Sequence, residues 1–454
     1  MKTMWKLTSA ILSLSVLTAA VPFSASAAED DETAPEVMTA TVQLNDTTAS
    51  ATGDNVKVEG NIITISASGS YEFKGTLKDG QICVNVPDKK ADAETVKIFF
   101  NGVTLTGAAG PALYVMNAKN TSLNLVEGTE NFLYDGETAY SAETNAVIYT
   151  KDDFTIKGEG SLRVEASNNH GIQSSEDLKV TGGKLKVKTT AEKVEGAERY
   201  ADGLRGKDSV QIKGGSIDIN ANGDGIKSTK GSVAISGGEI EVKASNDAIQ
   251  AETALSISGG SLKANGDRSL KLDKTDGAIA ITGGIVLATA TDEQPAAVNA
   301  TQPVIELNFT EEQVKDQELA ISKDTETIFA MTPDKKFSYV LISSPELATE
   351  TAYELTLGGK LVLGNGMEAV KITAESGVTL IENVTVSAPD AFNGDIDQDG
   401  KIGISDAILL CRYIAEDPDA TVKPEGVALM DFNKDGYVTS EDSQILLCYL
   451  AGVI

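Results

Sequence analysis

The segment Val210-Gln-Ile-Lys-Gly-Gly-Ser-Ile-Asp-Ile219 is one copy of the pattern that decides the fold of most of the chain. In it, two alternating apolar residues, a pair of glycines and two further alternating apolar residues follow one another. Paired glycines return at 182–183, 214–215, 237–238, 259–260 and 283–284, in steps of 32, 23, 22 and 24 residues. An apparent insertion near 192–200 accounts for the longer first step, so the repeat has a regular period.

A third short apolar piece follows each copy, as in Gly225-Ile226 and Ala248-Ile249. Three strands per period are what a parallel β-helix needs, because each rung exposes strand edges that only the next rung can satisfy. Leucine-rich repeats share the period, but their Leu-x-x-Leu-x-Leu pattern is absent. Period-two alternation on either side of the repeat predicts an N-terminal β cap at 41–94 and a C-terminal β cap at 301–385, around a β-helix at 95–300.

Stacked rungs turn positions of the repeat into rows of side chains about 4.8 Å apart. The position before each Gly-Ile-like pair is held by His170, Asp202, Asp224, Asp247 and Arg268, and the position after it by Gln173, Arg205, Lys227, Gln250 and Lys271. Two interpretations remain open. Either the three Asp residues hold Ca²⁺ while Arg205, Lys227 and Lys271 bind uronate carboxylates, or the Asp residues cap turns and the basic row is solvated.

Residues of about 41–360 resemble a family of secreted bacterial proteins described as carbohydrate-binding. The resemblance rests on Gly75-Thr-Leu-Lys-Asp-Gly-Gln-Ile82, Phe100-Asn-Gly-Val-Thr-Leu105, Glu127-Gly-Thr-Glu-Asn131, Asp152-Asp-Phe-Thr-Ile-Lys-Gly-Glu-Gly-Ser-Leu162 and Asp224-Gly-Ile226. It implies an all-β fold whose core is a right-handed parallel β-helix that binds pectic polyuronate with calcium. His170 and Arg268 stand where the family usually has Asp, so they interrupt the Asp row at both ends.

Two twelve-residue segments near the carboxyl end have the spacing of calcium loops, in which positions one, three, five, seven, nine and twelve supply oxygen ligands and position six is Gly. Position nine of the first segment is Gly403, which has no side chain, so we expect water to supply that ligand. The first runs from Asp395 to Asp406 and the second from Asp431 to Asp442, 36 residues further on. The predicted ligands are Asp395, Asp397, Asp399, Lys401 through its carbonyl and Asp406 in the first loop, and Asp431, Asn433, Asp435, Tyr437 through its carbonyl, Thr439 and Asp442 in the second. We therefore expect two Ca²⁺ ions here, beside any ions bound by the β-helix.

Each loop is followed by a similar amphipathic helix, and no helix leads into the first loop. Residues 393–454 thereby resemble a type I dockerin, the duplicated calcium module of cellulosomes, which predicts a small all-α module after a linker at 386–392. The resemblance implies docking to a cohesin module of a scaffoldin. In that family, positions ten and eleven of each loop set partner choice, and here they are Ile404, Ser405, Ser440 and Glu441.

The N-terminal segment indicates the compartment of the protein, and the net charge limits its possible partners. Lys2 and Lys6 precede an apolar run that ends before Ala25-Ser26-Ala27, which predicts a signal peptide at 1–27 and a linker at 28–40. No later apolar run is long enough to span a membrane, so the mature protein is expected to be secreted and extracellular, associated with a cellulosome. The formal net charge of −29 argues against nucleic acid as a partner.

Three functional classes follow from these observations. The first is a non-catalytic cellulosome component that binds plant cell-wall polysaccharide. The second is an enzyme: a polysaccharide lyase in which Ca²⁺ acidifies a uronate proton and Arg205 or Lys227 removes it, or a hydrolase that uses two carboxylates. The third is a structural spacer at the cell surface. Since no cluster stands out from the repeating register, the sequence favours the non-catalytic binder.

Overall fold

The structure is a computed structural model. It describes residues 36–450 except 138, 142, 192–199, 275–276, 292–296, 324–325, 348–351, 359, 362–369, 372–377, 385–393, 416, 419, 428 and 433–437. The predicted signal peptide lies outside the described residues. The chain divides into a leading unit, Met1–Val37, and a second unit, Met38–Ile454, to which every element below belongs.

The described strands and helices follow the chain in this order: β1 Ala40–Asp46, β2 Thr48–Gly53, β3 Val56–Glu59, β4 Ile62–Ile65, β5 Gly69–Leu77, β6 Gln81–Asn85, β7 Thr95–Thr106, β8 Leu113–Asn117, β9 Asn120–Leu125, β10 Glu130–Tyr134, β11 Ala146–Thr150, β12 Asp153–Gly158, β13 Ser161–Ala166, β14 His170–Ser174, β15 Asp177–Val180, β16 Lys184–Thr189, β17 Leu204–Gly206, β18 Ser209–Ile212, β19 Ser216–Ala221, β20 Ile226–Ser228, β21 Ser232–Ala244, β22 Asp247–Ala251, β23 Ala254–Gly266, β24 Arg268–Leu272, β25 Ile279–Ala290, β26 Val298–Ala300, β27 Val304–Gln313, β28 Leu319–Lys323, β29 Glu326–Met331, β30 Phe337–Ser343, β31 Ala352–Leu357, β32 Lys360–Leu361, β33 Val370–Lys371, β34 Val378–Val384, α1 Ile404–Ile414, α2 Pro424–Val427 and α3 Ser440–Leu450.

A ten-stranded sheet carries the candidate site. Its order is β24-β22-β20-β17-β14-β11-β8-β6-β4-β3, and its strands are parallel except for the antiparallel pair β3 and β4. From β4 to β24, one fully buried apolar residue of each strand stacks in register in the core: Ile63, Ile82, Leu113, Ile148, Ile172, Leu204, Ile226, Ile249 and Leu270. Because side chains alternate between the faces of a strand, the next residue of each strand lies on the opposite face.

A nineteen-stranded sheet holds most of the remaining repeat. Its repeat strands also pair in parallel, as in the series β16, β19, β21 and β23, whose inward residues Leu185, Ile217, Ile240 and Leu262 stack in register. The second glycine of each pair adopts positive φ, +93° at Gly215 and +96° at Gly238. A Cβ on Gly215 would also lie 2.8 Å from the carbonyl oxygen of Gly183, so both conformation and space require glycine at this corner.

The C-terminal part of the β region departs from the parallel pattern. Strand β30 pairs antiparallel with both β25 and β27, and β28, β29, β31, β32 and β33 form a separate five-stranded sheet. A second core, which includes Leu307, Phe329 and Phe337, lies beneath these strands. Strands β26 and β30 pair with the edge of β25 that would otherwise be left open.

The predicted fold class, a right-handed parallel β-helix with flanking β caps followed by a small all-α module, is wrong in this form. The β region is all-β, but its described strands assemble into sheets of nineteen, ten and five strands. Strands β4 and β6, placed in the N-terminal cap, are inner members of the ten-stranded sheet. The last module contributes two eleven-residue helices and one four-residue helix to the described residues. The period of the glycine pairs predicts the length of the strands and their parallel pairing. It does not predict how many strands join one sheet, because every strand offers the same backbone donors and acceptors to its neighbours.

Candidate functional site

The face of the ten-stranded sheet opposite the core presents a continuous line of side chains, which we call the outer row. Its members, in register from β4 to β24, are Thr64, Cys83, Tyr114, Tyr149, Gln173, Arg205, Lys227, Gln250 and Lys271. The structure therefore brings Arg205, Lys227 and Lys271 onto one face. Gln250 separates the two lysines.

The three Asp residues before these strands lie beneath the surface, each no more than 2% exposed. Asp202 Oδ1 accepts the backbone N–H of Asp224 at 3.0 Å, and Asp224 Oδ1 accepts the backbone N–H of Asp247 at 3.0 Å. Asn246 Nδ2 also donates to Asp224 Oδ1, at 2.6 Å. The carboxylates of Asp202 and Asp224 thus fix the start of the next strand in the stack, which is the capping interaction that the sequence left open.

The second oxygen of each carboxylate contacts a cation of the surface. Arg205 Nη1 lies 2.7 Å from Asp202 Oδ2, and Lys227 Nζ lies 2.5 Å from Asp224 Oδ2. The side chains of Arg205 and Lys227 are 30% and 23% exposed, whereas those of their partners are 3% and 2% exposed. The ion pairs hold the cationic groups at the surface with their carboxylates inside.

Arg268 and Lys271 share the last Asp of the series. Arg268 Nε donates to Asp247 Oδ1 at 2.6 Å, and Lys271 Nζ lies 3.4 Å from Asp247 Oδ2. Burial raises the pKa of the Asp247 carboxyl above its ordinary value, although the hydrogen bond from Arg268 acts in the opposite direction. Arg268, which interrupts the Asp row in sequence, therefore compensates the buried charge of the preceding rung.

His170 occupies the Asp position at the other end of the row and is 5% exposed. Its Nδ1 accepts the backbone N–H of Asp202 at 2.8 Å, so the imidazole does for Asp202 what Asp202 does for Asp224. This contact places His170 among the residues that fix strand starts.

Calcium at Asp202, Asp224 and Asp247 stays a prediction. All six of their carboxylate oxygens contact donors of the described residues, so an ion there would have to displace amide or cationic groups. In the described part of the chain, one group of three acidic side chains brings its oxygens within 4.8 Å of one another, and it lies elsewhere, at Asp395, Asp397 and Asp399.

That group belongs to the first predicted calcium loop. Asp395 accepts the backbone N–H groups of Asp399 and Gly400 at 2.9 Å each, and Gly400 has φ of +88°, as the sharp turn requires. Asp406 at position twelve is fully buried and accepts the N–H groups of Asp397 and Gly403. Clustered carboxylate oxygens around a tight turn fit Ca²⁺, which prefers hard oxygen ligands. The exposed Lys401 follows the turn, as its predicted carbonyl role needs.

The second loop repeats this frame where it is described. Asp442 is fully buried and accepts the N–H groups of Phe432 and Thr439 at 2.7 Å each. The contact with Thr439 at position nine matches that of Asp406 with Gly403, whereas Phe432 stands at position two and Asp397 at position three. Asp431 lies at the start of the loop, whereas the predicted ligands Asn433, Asp435 and Tyr437 lie outside the described residues.

The two long helices pack against each other and leave an apolar surface. Leu410 of α1 and Leu446 of α3 are fully buried in one small core. On the outside, Ile404, Ile408 and Leu447 are 69%, 55% and 49% exposed and line a depression of about 400 Å³. The predicted partner-choosing residues Ile404 and Ser405 begin α1, and Ser440 and Glu441 begin α3. Of these, Ile404, Ser405 and Ser440 have exposed side chains.

Sequence reasoning missed the aromatic end of the outer row. Tyr114 and Tyr149 precede Gln173 in register, and their rings meet edge to face with centroids 6.0 Å apart. Lys151 Nζ lies 5.9 Å from the centre of the Tyr114 ring. The signal was present in the sequence, because both tyrosines directly follow apolar residues, Leu113 and Ile148, of the weaker early rungs.

Comparisons with known proteins agree with the two-part organisation. A family model described as a carbohydrate-binding domain-containing protein matches residues 59–327, and the model of the dockerin type I domain matches residues 393–451. A carbohydrate-binding domain-containing protein of Acetivibrio thermocellus is 38% identical over 140 residues, which are 30% of this chain and 48% of the relative. The chain therefore spans about half the length of this curated relative.

A solved structure is also similar: that of a protein described as polysaccharide lyase-like from C. thermocellum, in a gadolinium derivative. It shares 33% sequence identity and covers 53% of this chain and 96% of its own, with a TM-score of 0.47. Among the described residues, no helix combines the length and apolar character needed to cross a membrane.

Proposed function

Because the chain belongs to the family of carbohydrate-binding domain-containing proteins, we propose that it is a secreted, non-catalytic cellulosome component that binds plant cell-wall polysaccharide through the outer row. The observation that carries this proposal is the set of surface cations Arg205, Lys227 and Lys271, each held by a buried carboxylate. Cations fixed in this way lose little conformational entropy on binding a ligand, which favours affinity.

The proposed ligand is a pectic polyuronate, and its binding depends on calcium. Arg and Lys bind carboxylates through charge-assisted hydrogen bonds, and the cations of the row stand at strand spacings of about 4.8 Å, so a polymer with repeated carboxylates matches them. The net charge of −29 opposes the approach of a polyanion. Calcium ions that bridge acidic groups of the protein and the polymer would relieve this repulsion.

The rival function, a polysaccharide lyase, requires a base aimed at a uronate proton. Lys227 Nζ and Arg205 Nη1, the atoms of the candidate bases, are instead aimed at Asp224 and Asp202. A general base must reach the proton that it removes. The contacts therefore support binding over catalysis.

The second half of the proposal concerns the dockerin domain. Its two loops would each hold one Ca²⁺, and its helices α1 and α3 would bind a cohesin module of a scaffoldin. Exposed apolar side chains flanked by polar residues mark interaction surfaces, and Ile404, Ile408 and Leu447 form such a patch. Docking would place the protein outside the cell, within a cellulosome.

Affinity electrophoresis of the full chain in gels that contain polygalacturonate tests the binding proposal. We expect retardation with calcium and its loss with EDTA. The variant Arg205→Ala/Lys227→Ala should migrate freely. The matched control Arg163→Ala/Lys186→Ala removes two cations that are also ion-paired but lie on β13 and β16 of the large sheet, and it should stay retarded.

The variant Asp395→Ala/Asp431→Ala separates the effects of EDTA on the dockerin from those on the β region, and it should also stay retarded. No retardation of the wild type by any plant polymer would support the spacer function instead. The appearance of unsaturated, ultraviolet-absorbing uronate products during incubation with polygalacturonate and calcium would establish a lyase and overturn the non-catalytic proposal.

A further inference from the structure

Two glutamines of the outer row carry side-chain oxygens that have no partner. The Oε1 atoms of Gln173 and Gln250 are buried and accept no hydrogen bond from the described residues. Gln250 is 7% exposed as a whole. Leaving a buried acceptor unsatisfied costs about 1–3 kcal/mol, so two such oxygens in one row are not expected of a surface that serves stability alone.

The amide of Gln250 is held in one orientation. Its Nε2 donates to Asp273 Oδ2 at 2.6 Å, and Lys271 Nζ contacts Asp273 Oδ1 at 2.9 Å. Hydrogen bonds from Lys271 and Gln250 lower the pKa of Asp273 against the opposing effect of burial, so the carboxylate is a charged, fixed acceptor. With Nε2 engaged, Oε1 is the atom of this amide that remains for another donor.

The cations of the outer row stand next to both glutamines in the sheet. Gln173 lies beside Arg205, and Gln250 lies between Lys227 and Lys271. A ligand whose carboxylates bind these ion-paired cations would lie beside both glutamines and bring its hydroxyl groups toward their amide oxygens.

The order of groups along the row determines what ligand fits. From β14 to β24 the row reads acceptor, cation, cation, acceptor, cation over four strand spacings, or about 19 Å. Carboxylates satisfy the cations but cannot donate to a glutamine oxygen, whereas sugar hydroxyls can. A simple polyanion would leave both glutamine oxygens unsatisfied.

We propose that Gln173 and Gln250 are specificity-determining residues that accept hydrogen bonds from free hydroxyl groups of an extended polyuronate, while Arg205, Lys227 and Lys271 bind its carboxylates. The inference rests on the proposed function, since it names the groups by which the same row distinguishes a hydroxylated uronate polymer from other polyanions. A ligand must carry both groups along the chain to occupy the whole row.

Isothermal titration of the full chain with polygalacturonate in calcium tests the inference. Gln173→Met and Gln250→Met keep the length of the side chain but remove the acceptor, and each should lower the association constant about three- to tenfold. The control Gln211→Met, on β18 of the large sheet, should bind as the wild type. Polyglutamate, which has carboxylates but no hydroxyls, should bind the wild type weakly. Gln173→Met and Gln250→Met should not change its affinity.

A second ligand makes the assignment specific. Polygalacturonate whose hydroxyls are O-acetylated should bind the wild type more weakly, and the glutamine variants should lose no further affinity for it. Thermal melts must show that each variant is folded. If both glutamine variants are folded and bind polygalacturonate as tightly as the wild type, the inference is overturned and the proposed function stands. Absence of any wild-type binding would overturn both.

Discussion

The carboxylate of Asp202 accepts the backbone N–H of Asp224, 22 residues later in the chain and one strand further along the sheet. The same carboxylate contacts Arg205 on the surface side. One buried group therefore fixes the backbone of the next rung and positions a cation of the outer row. The architecture and the candidate site depend on the same atoms.

Loss of the middle carboxylate should strongly destabilise the β region. Asp224→Ala leaves the backbone N–H of Asp247 without its acceptor and Lys227 without its ion partner. We expect a loss of about 2–4 kcal/mol in the free energy of unfolding, measured by urea denaturation. Asp218→Ala is the control, because its pair with Lys186 is about half exposed and should contribute less than about 1 kcal/mol. Equal losses in both variants would refute the role given to Asp224.

The row itself could be predicted from the sequence, because position in a regular repeat becomes position in a sheet. Gln173, Arg205, Lys227 and Gln250 stand in register as their places before and after Gly-Ile-like pairs indicated. The ion pairs could not be predicted, since they depend on which way each long side chain turns. Tyr114 and Tyr149 were missed because the early rungs are irregular: Leu113 and Ile148, which pair directly, are 35 residues apart.

The assembly of the sheets could not be predicted from the sequence, for a different reason. Strand β30 is short and apolar like the strands of the repeat, yet it pairs antiparallel with β25 and β27. Every strand offers the same backbone donors and acceptors, so side-chain alternation does not reveal the direction of its neighbour. The calcium loops are the opposite case: ligand spacing within twelve residues is local, and Asp406 and Asp442 occupy equivalent buried positions.

Cys83 should react with alkylating reagents only at high pH. Burial raises the pKa of its thiol from an ordinary value of 9.0 to about 11. Since the thiolate is the reactive form, the alkylation rate of Cys83 should still be rising between pH 9 and pH 11, whereas Cys411 is exposed and serves as the accessible reference thiol. Peptide-resolved mass spectrometry after timed iodoacetamide treatment distinguishes the two sites.

The raised pKa also sets the sign of a stability effect. The folded state holds the Cys83 proton more tightly than the unfolded state, so this stabilisation is complete below pH 9 and is lost as pH rises toward 11. Cys83→Ser should reduce the loss of stability across that window. A Cys83 alkylation rate that levels off near pH 9 in the native protein would contradict the buried environment.

The first calcium loop should lose its ion when its clustered carboxylates are removed. Asp395→Ala/Asp397→Ala takes away two of the three side chains whose oxygens lie within 4.8 Å of one another. Calorimetric titration of the full chain with Ca²⁺ should then report one ion fewer than in the wild type. Asp218→Ala, a solvent-facing carboxylate of the β region, should leave the stoichiometry unchanged. An unaltered ion count in the double variant would remove this loop from the calcium sites.

Docking should depend on the apolar patch of α1 and α3 and not on calcium binding alone. Ile408→Glu places a charge among Ile404, Leu447 and Ala407, which line the same depression. Since truncation or charging of a central apolar residue typically costs 2 kcal/mol or more, we expect about a thirtyfold or greater loss of affinity for cohesin modules. Ile62→Glu, at an exposed isoleucine of β4, is the matched control.

Surface plasmon resonance against a panel of recombinant cohesins measures both variants, and calcium titration verifies that Ile408→Glu still binds its ions. If Ile408→Glu binds a cohesin as tightly as Ile62→Glu, the partner contacts another face of the module.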